Sequence, residues 1–163
     1  MNLDYNEEYK SFEKEVQDFC KQYKDISFSD RAKIPFSAKG GRNKNTIKRS
    51  DWQKILIEKG YFARSVPKKY GGYGGETDIL KSRIIASEFS KFKIPTPMGG
   101  QGIDMLVPTL LELGTKQQKE KYIKPTLHGE MIWCQGYSEP NAGSDLASLQ
   151  TKAELINEEW VIN

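Results

Sequence analysis

The chain has 163 residues, of which 37% are hydrophobic and 29% charged, and a net charge of +3. That is about one domain's length with enough apolar residues for a core, and the charge is too small to imply nucleic acid or a membrane surface as partner. No apolar run approaches the ~18–20 residues that span a bilayer; the polar, acidic start is not a targeting peptide; and Cys20 and Cys134, lacking disulfide-framework or zinc spacing, point with the missing export signal to a reducing cytoplasm.

The first predicted element is a helix over residues 4–24. Tyr5, Tyr9, Phe12, Val16, Phe19 and Tyr23 recur every three or four positions and form one apolar stripe. Residues 25–49 lose that period. Arg31, Lys33, Lys39, Arg42, Lys44, Lys48 and Arg49 follow one another with no acidic residue between them, around Pro35 and Gly40-Gly41. A solvated basic loop is expected there, with phosphate contact as the functional alternative.

Ser50 with Gln53 three residues on has the form of a capping box that opens a second helix, with Trp52, Ile55 and Leu56 facing the core and Gly60 as the stop. Gly71, Gly72, Gly74 and Gly75 demand a loop that visits positive φ. They match neither phosphate-binding glycine pattern and follow no strand, so a structural turn is expected in preference to a phosphate cradle. Thr77 and Asp78 open a third helix over 77–92, carrying Leu80, Ile84, Ile85 and Phe89, and Pro95 and Pro97 end it. Residues 99–113 read as a buried helix that Pro108 kinks or at which it starts a new turn, stopped by Gly114. Thr115-x-x-Gln118 opens a short helix that ends before Pro125.

After Gly129 the period changes. Met131–Tyr137 is short, apolar and aromatic and reads as a strand. Thr151–Ile156 and Glu159–Ile162 read as two strands joined at Asn157-Glu158. The expected fold is mainly α: a helical domain over 1–129, then the start of a β domain over 130–163. Two or three strands are marginal alone, so the chain is expected to be the N-terminal part of a longer protein. The alternative is a small sheet that packs on the helices and completes the fold. His128, the sole histidine, reads as a surface or capping group.

Chemistry concentrates in Gly136–Ser148. Ala142 and Gly143 allow close backbone approach, Ser138 and Ser144 offer hydroxyls, and Glu139 and Asp145 are placed to bind the loop's own backbone. This stretch resembles the N-terminal signature of the acyl-CoA dehydrogenase family: small residue, aliphatic, Ser/Thr, Glu, two variable positions, small residue, Gly, Ser/Thr, Asp, two more and a small residue. The departure is Tyr137, where an aliphatic is usual; the run Trp133–Pro140 resembles a bacterial subgroup with Tyr there. Trp52…Gly60, Pro67-x-x-Tyr70-Gly71-Gly72, Leu113-Gly114-Thr115-x-x-Gln118-Lys119 and Trp160–Asn163 carry the resemblance further.

The resemblance implies an N-terminal helical domain, a middle β domain and a C-terminal helical bundle. It implies an FAD-dependent oxidoreductase of lipid metabolism and fatty acid β-oxidation that converts an acyl-CoA to its 2-enoyl-CoA. Gln135, Gly136, Tyr137, Ser138, Gly143 and Ser144 correspond to FAD-binding positions. Ser144 also matches a contact to the CoA arm, and Met98, Gly102 and Leu106 are candidates for lining the acyl cavity, with core packing as the alternative. The family's catalytic carboxylate lies in the C-terminal domain, so no catalytic residue is expected here, and no metal site. Partners implied are the acyl-CoA substrate, further subunits in a homo- or hetero-oligomer, and an electron-transfer flavoprotein as acceptor. Competing expectations are a non-catalytic partner subunit or truncated interaction protein of the same fold, and, remotely, a nucleic-acid-binding domain using Arg31–Arg49.

Overall fold

The computed structural model describes residues 5–29 and 46–163. The basic residues Arg31, Lys33, Lys39, Arg42 and Lys44, with Pro35 and Gly40-Gly41, lie outside them. The chain divides into two compact units, the first ending at Trp133 and the second spanning Cys134–Asn163.

The first unit is helical. α1 (Glu7–Tyr23) is capped by Asn6, whose side-chain oxygen accepts from the Tyr9 N–H at 3.0 Å. Its stripe does what the spacing predicts: Val16, Phe19 and Cys20 are buried, and Tyr5, Tyr9, Phe12 and Tyr23 pack at the margin. α2 (Arg49–Glu58) and α3 (Ile79–Phe92) complete this core. Phe19 is its centre, stacked on Trp52 (ring centroids 5.7 Å) and on Phe89 (6.0 Å), with Tyr61 edge-on at 5.0 Å. Such pairs add about 0.5–1.5 kcal/mol each beyond the area they bury. Asp78 caps α3 by accepting from the Lys81 N–H at 2.9 Å. α1 and α3 are also tied at the surface, where Lys81 Nζ meets Glu8 at 2.6 Å. Two residues of the expected loop, β1 (Ser27–Phe28), pair in parallel with β2 (Thr46–Ile47).

A second core joins Ile57, Val66, Tyr70, Val107, Ile123 and Leu127, which brings α4 (Val107–Leu113) and α5 (Lys116–Leu127) against the glycine loop. Gly71 has φ +87°, and a Cβ on Gly72 would collide with the Val66 carbonyl. The glycines therefore serve a close backbone crossing. Thr115 and Gln118 form the expected capping box, with bonds of 3.2 and 2.8 Å.

Four local expectations are corrected. α2 begins at Arg49, so Ser50 is already inside it, Lys48 is the N-cap without a side-chain bond, and the Ser50–Gln53 box does not form. Pro125 lies inside α5 instead of after it. Its missing N–H and ring would cost about 3 kcal/mol; burial of Ile123 and Leu127, worth about 1.5–3 kcal/mol each, offsets that. The helix expected over 99–113 runs over 101–113 with Pro108 at the start of a new turn, but it is not buried throughout, since Met105 and Leu113 are exposed. Gly102–Leu106 form a π-turn in which the Val107 N–H donates to the Gly102 carbonyl, and α4 follows with Pro108 in its first turn. Met131–Tyr137 is irregular, because no described strand offers it a ladder partner.

In the second unit β3 (Ala153–Ile156) pairs antiparallel with β4 (Glu159–Ile162). Asn157 and Glu158 have φ of 51° and 67°, the two positive values that a two-residue type I′ hairpin turn needs. The register puts Leu155 opposite Trp160 and Ala153 opposite Ile162, so one face of the hairpin is apolar. Leu155, Trp160 and Ile162 on that face are exposed.

Candidate functional site

The sequence-predicted residues fall in two places, one in each unit. In the first unit a cleft of about 410 Å³ is lined by Met98, Gly102, Ile103, Thr126, Gly129, Met131 and Trp133, among others. Met98 and Gly102 are thus brought together, while Leu106 is half-buried on the π-turn and does not line this cleft.

The walls of the cleft are set by neighbours that sequence reasoning did not single out for it. The Trp133 indole N–H donates to the Thr126 hydroxyl at 2.8 Å, and that hydroxyl donates to the Tyr122 carbonyl at 2.6 Å. Tyr122 meets the Trp133 ring edge-on at 5.5 Å. So fixed, the indole lies against Gly102, and a Cβ there would strike it. Met98 is held from both sides. Its methyl end lies over Gly129, whose φ is +69°. Its backbone N–H donates to the Gln53 Oε1 at 2.9 Å, and Gln53 Nε2 donates to the Met98 carbonyl at 3.4 Å and to the Leu127 carbonyl at 3.1 Å. His128 ends α5 close by; burial is the main cause holding its pKa below the ordinary histidine value. A larger cleft of about 750 Å³ lies along α3 and the 60–65 segment, and none of the predicted site residues lines it.

In the second unit the candidate loop is self-supporting. Glu139 and Ala142 exchange backbone bonds of 2.9 and 3.1 Å, which closes a turn over Pro140-Asn141. The Glu139 carboxylate accepts from the Thr151 N–H at 2.7 Å and the Gln150 N–H at 2.9 Å. The Thr151 side chain first, then the backbone bonds from Gln150 and Thr151, hold its pKa below the ordinary glutamate value. Asp145 accepts from the Ala147 N–H at 3.2 Å. Both acids bind backbone, as their place in the pattern predicts. Ala142 is 1% exposed, whereas Gln135, Gly136, Tyr137, Ser138, Gly143 and Ser144 are all exposed.

The glycines separate into two kinds. Gly72 and Gly102 are packed so tightly that no side chain fits. Gly136 and Gly143 have no heavy atom within 4 Å of an added Cβ, and neither has a positive φ. The surrounding fold gives no reason for glycine at either position. The loop offers open backbone, two free-standing hydroxyls and an aromatic ring, a set able to lie along a flat, phosphate-bearing molecule.

The sequence model described as "Acyl-CoA dehydrogenase, N-terminal domain" matches residues 6–130. Acyl-CoA dehydrogenase IpdE1 of Mycolicibacterium smegmatis is 35% identical over 125 residues, covering 71% of this chain and 31% of that protein. The short-chain specific acyl-CoA dehydrogenase of Clostridium acetobutylicum is 41% identical over 97 residues, 59% of this chain and 25% of that protein. Among solved structures, the Tcur3481-Tcur3483 steroid ACAD superimposes with a TM-score of 0.58 at 29% identity, covering 99% of this chain and 39% of that one. The chain thus spans about a third or less of the length of these curated relatives.

Proposed function

The chain belongs to the acyl-CoA dehydrogenase family, and from that premise we propose that it supplies the helical domain and flavin-facing loop of an FAD-dependent enzyme that oxidises an acyl-CoA to the 2-enoyl-CoA. The observation that carries the reading is the pair Gly136 and Gly143, glycines that the surrounding fold does not require. A planar group seated against the backbone gives them a reason.

In this reading Gln135, Gly136, Tyr137, Ser138, Gly143 and Ser144 would hold FAD, and Ser144 would also reach the CoA arm. Bound FAD would supply the hydride acceptor for oxidation across the Cα–Cβ bond. The chain's own residues bind and orient. Glu139 and Asp145 fix the loop that presents the backbone N–H groups and hydroxyls. Met98 and Gly102 line the path of the acyl chain, with Leu106 further along the same segment. None of the chain's carboxylates is assigned as the base that takes the α-proton. Glu88 is buried against Lys91, and Glu139 is committed to backbone. The base is proposed to lie outside these 163 residues, within a C-terminal domain.

A further subunit of the same fold, an electron-transfer flavoprotein as acceptor, a role in fatty acid β-oxidation and a cytoplasmic setting belong to the proposal through the resemblance. Among the described residues no helix is long and apolar enough to cross a membrane.

The test is to express the whole product of the coding region that contains these residues, supplement it with FAD, and record its spectrum and its oxidation of acyl-CoA by an artificial electron acceptor. A yellow, active protein is expected. A protein that stays colourless overturns the reading. A yellow protein that oxidises no acyl-CoA favours the partner-subunit alternative.

A further inference from the structure

Three successive residues of α2 reach the segments around the acyl cleft. Trp52 Nε1 donates to the Pro95 carbonyl at 3.0 Å, Gln53 binds Met98 and Leu127, and Lys54 meets Glu130 at 2.7 Å. Gln53 differs from its neighbours in being a polar side chain with no exposed surface. A buried amide is costly unless its donors and acceptor are matched. Here they are: Oε1 takes the Met98 N–H, and Nε2 serves the Met98 and Leu127 carbonyls. The Leu127 carbonyl belongs to the last turn of α5, where no later helical N–H is available to it. One amide thus joins the interior of α2, the open end of α5 and both polar groups of Met98's backbone. Met98 lines the cleft, as do Thr126 and Gly129, which flank the end of α5. No other side chain bonds the backbone of Met98 among the described residues.

We infer that Gln53 is a positioning residue for the acyl cleft: it sets the wall that Met98 forms, and so decides how well a long acyl chain is accepted, without touching the chain itself. The inference rests on the functional reading above. Without the amide, Met98 keeps only the contact of its own side chain with Gly129, and the next fixed point along the chain is Gly100, whose N–H donates to the Asp104 carboxylate at 2.9 Å. Gly99 lies between them, so the Met98 wall can shift by rotation there.

The test uses the whole coding-region product and two variants. Gln53→Met keeps volume and removes all three bonds. Gln53→Glu keeps the acceptor for the Met98 N–H and loses the donors while ionised. Calorimetry with butyryl-CoA and dodecanoyl-CoA is the binding readout, and hydrogen exchange at the Met98 amide is the structural one. In Gln53→Met the Met98 amide exchanges faster, dodecanoyl-CoA binds ~10-fold more weakly, and butyryl-CoA shifts less than about twofold. In Gln53→Glu the long-chain affinity recovers between about pH 8 and about pH 5, as the buried carboxyl takes a proton and regains a donor.

Equal weakening of both ligands marks a merely structural role and overturns the inference, as does unchanged binding of both. Unchanged exchange at Met98 overturns the clamp itself, whatever the ligands do. Failure of the unsubstituted protein to bind either acyl-CoA overturns the functional reading, and the positioning role falls with it. If Gln53→Met does not fold, the pH profile of Gln53→Glu decides alone, a flat profile counting against the role.

Discussion

Glu139 binds the backbone of Thr151 across twelve positions of sequence: its Oε1 accepts the Thr151 N–H at 2.7 Å while Oε2 accepts the Gln150 N–H at 2.9 Å. The carboxylate therefore stitches the far end of the candidate loop to its start, and two charge-assisted bonds fix the segment that Gly143 and Ser144 belong to. Both carboxylate oxygens are committed to backbone, so the part Glu139 plays in the loop is structural.

A pH dependence follows. The bonds to Thr151 and Gln150 lower the Glu139 pKa from its ordinary value of 4.5. A depressed carboxylate contributes stability that is fully present above the ordinary value and is lost as pH falls through the lower, folded-state one. The loop is expected to hold at neutral pH and to loosen below about pH 4.5. Amide exchange at Gln150 and Thr151, followed from neutral pH downward, checks it. Glu139→Gln should raise exchange at one of these amides already at neutral pH, and equal protection in variant and parent would exclude the role.

The two kinds of glycine predict opposite outcomes. Gly102→Val drives a side chain into the Trp133 indole and should lower stability by about 1–3 kcal/mol. Gly143→Val meets open space, so the denaturant midpoint should hardly move while FAD affinity falls sharply. Urea titrations of both variants, with flavin content measured on the same samples, separate packing from binding. Undiminished FAD affinity in Gly143→Val would remove that residue from the site.

The thiols are expected to differ in reactivity. Cys20 is buried, and burial first, then Glu88, pushes its pKa up to about 11. Cys134 is exposed. Iodoacetamide at about pH 8 should label Cys134 and leave Cys20 unmodified until the protein is unfolded. Peptide mass mapping reads this directly; native labelling of Cys20 would show that the α1–α3 core opens readily.

Thr115→Ala removes one half of the capping box and leaves the Gln118 half in place. A loss of ~1 kcal/mol is expected. Chemical denaturation gives the value, and a shift below a few tenths would mean that packing alone defines the start of α5.

What was legible in the sequence was local. The α1 stripe, the Asp78 and Thr115 caps and the Asn157-Glu158 turn each follow from a few neighbouring residues, and each formed as the spacing predicted. What was not legible depends on distant partners. Gln53 satisfies the local formula of a cap, and only the arrival of Met98 and Leu127, 45 and 74 positions away, turns it into a buried tie. Met131–Tyr137 has strand composition, but composition supplies no partner strand. Pro125 breaks a local rule and is overruled by the core that Ile123 and Leu127 enter. The candidate loop was legible through its resemblance to a known pattern; the Trp133–Thr126–Tyr122 relay that walls the cleft has no local signature.

The π-turn at Gly102–Leu106 acts as a phase adjuster. Gly102 and Val107 are both buried, one under Trp133 and the other in the second core. In ordinary α geometry five residues sweep about 500°, leaving the two positions about 140° apart on the helix surface. Closing the turn with a bond from Val107 back to Gly102 brings them nearly into line. Shortening the segment by one residue, for example by deleting Asp104, would restore a regular winding and swing α4 out of register. Either the cleft would lose its floor or the core would lose Val107. The extra residue lets one helical rod answer to two neighbours at once.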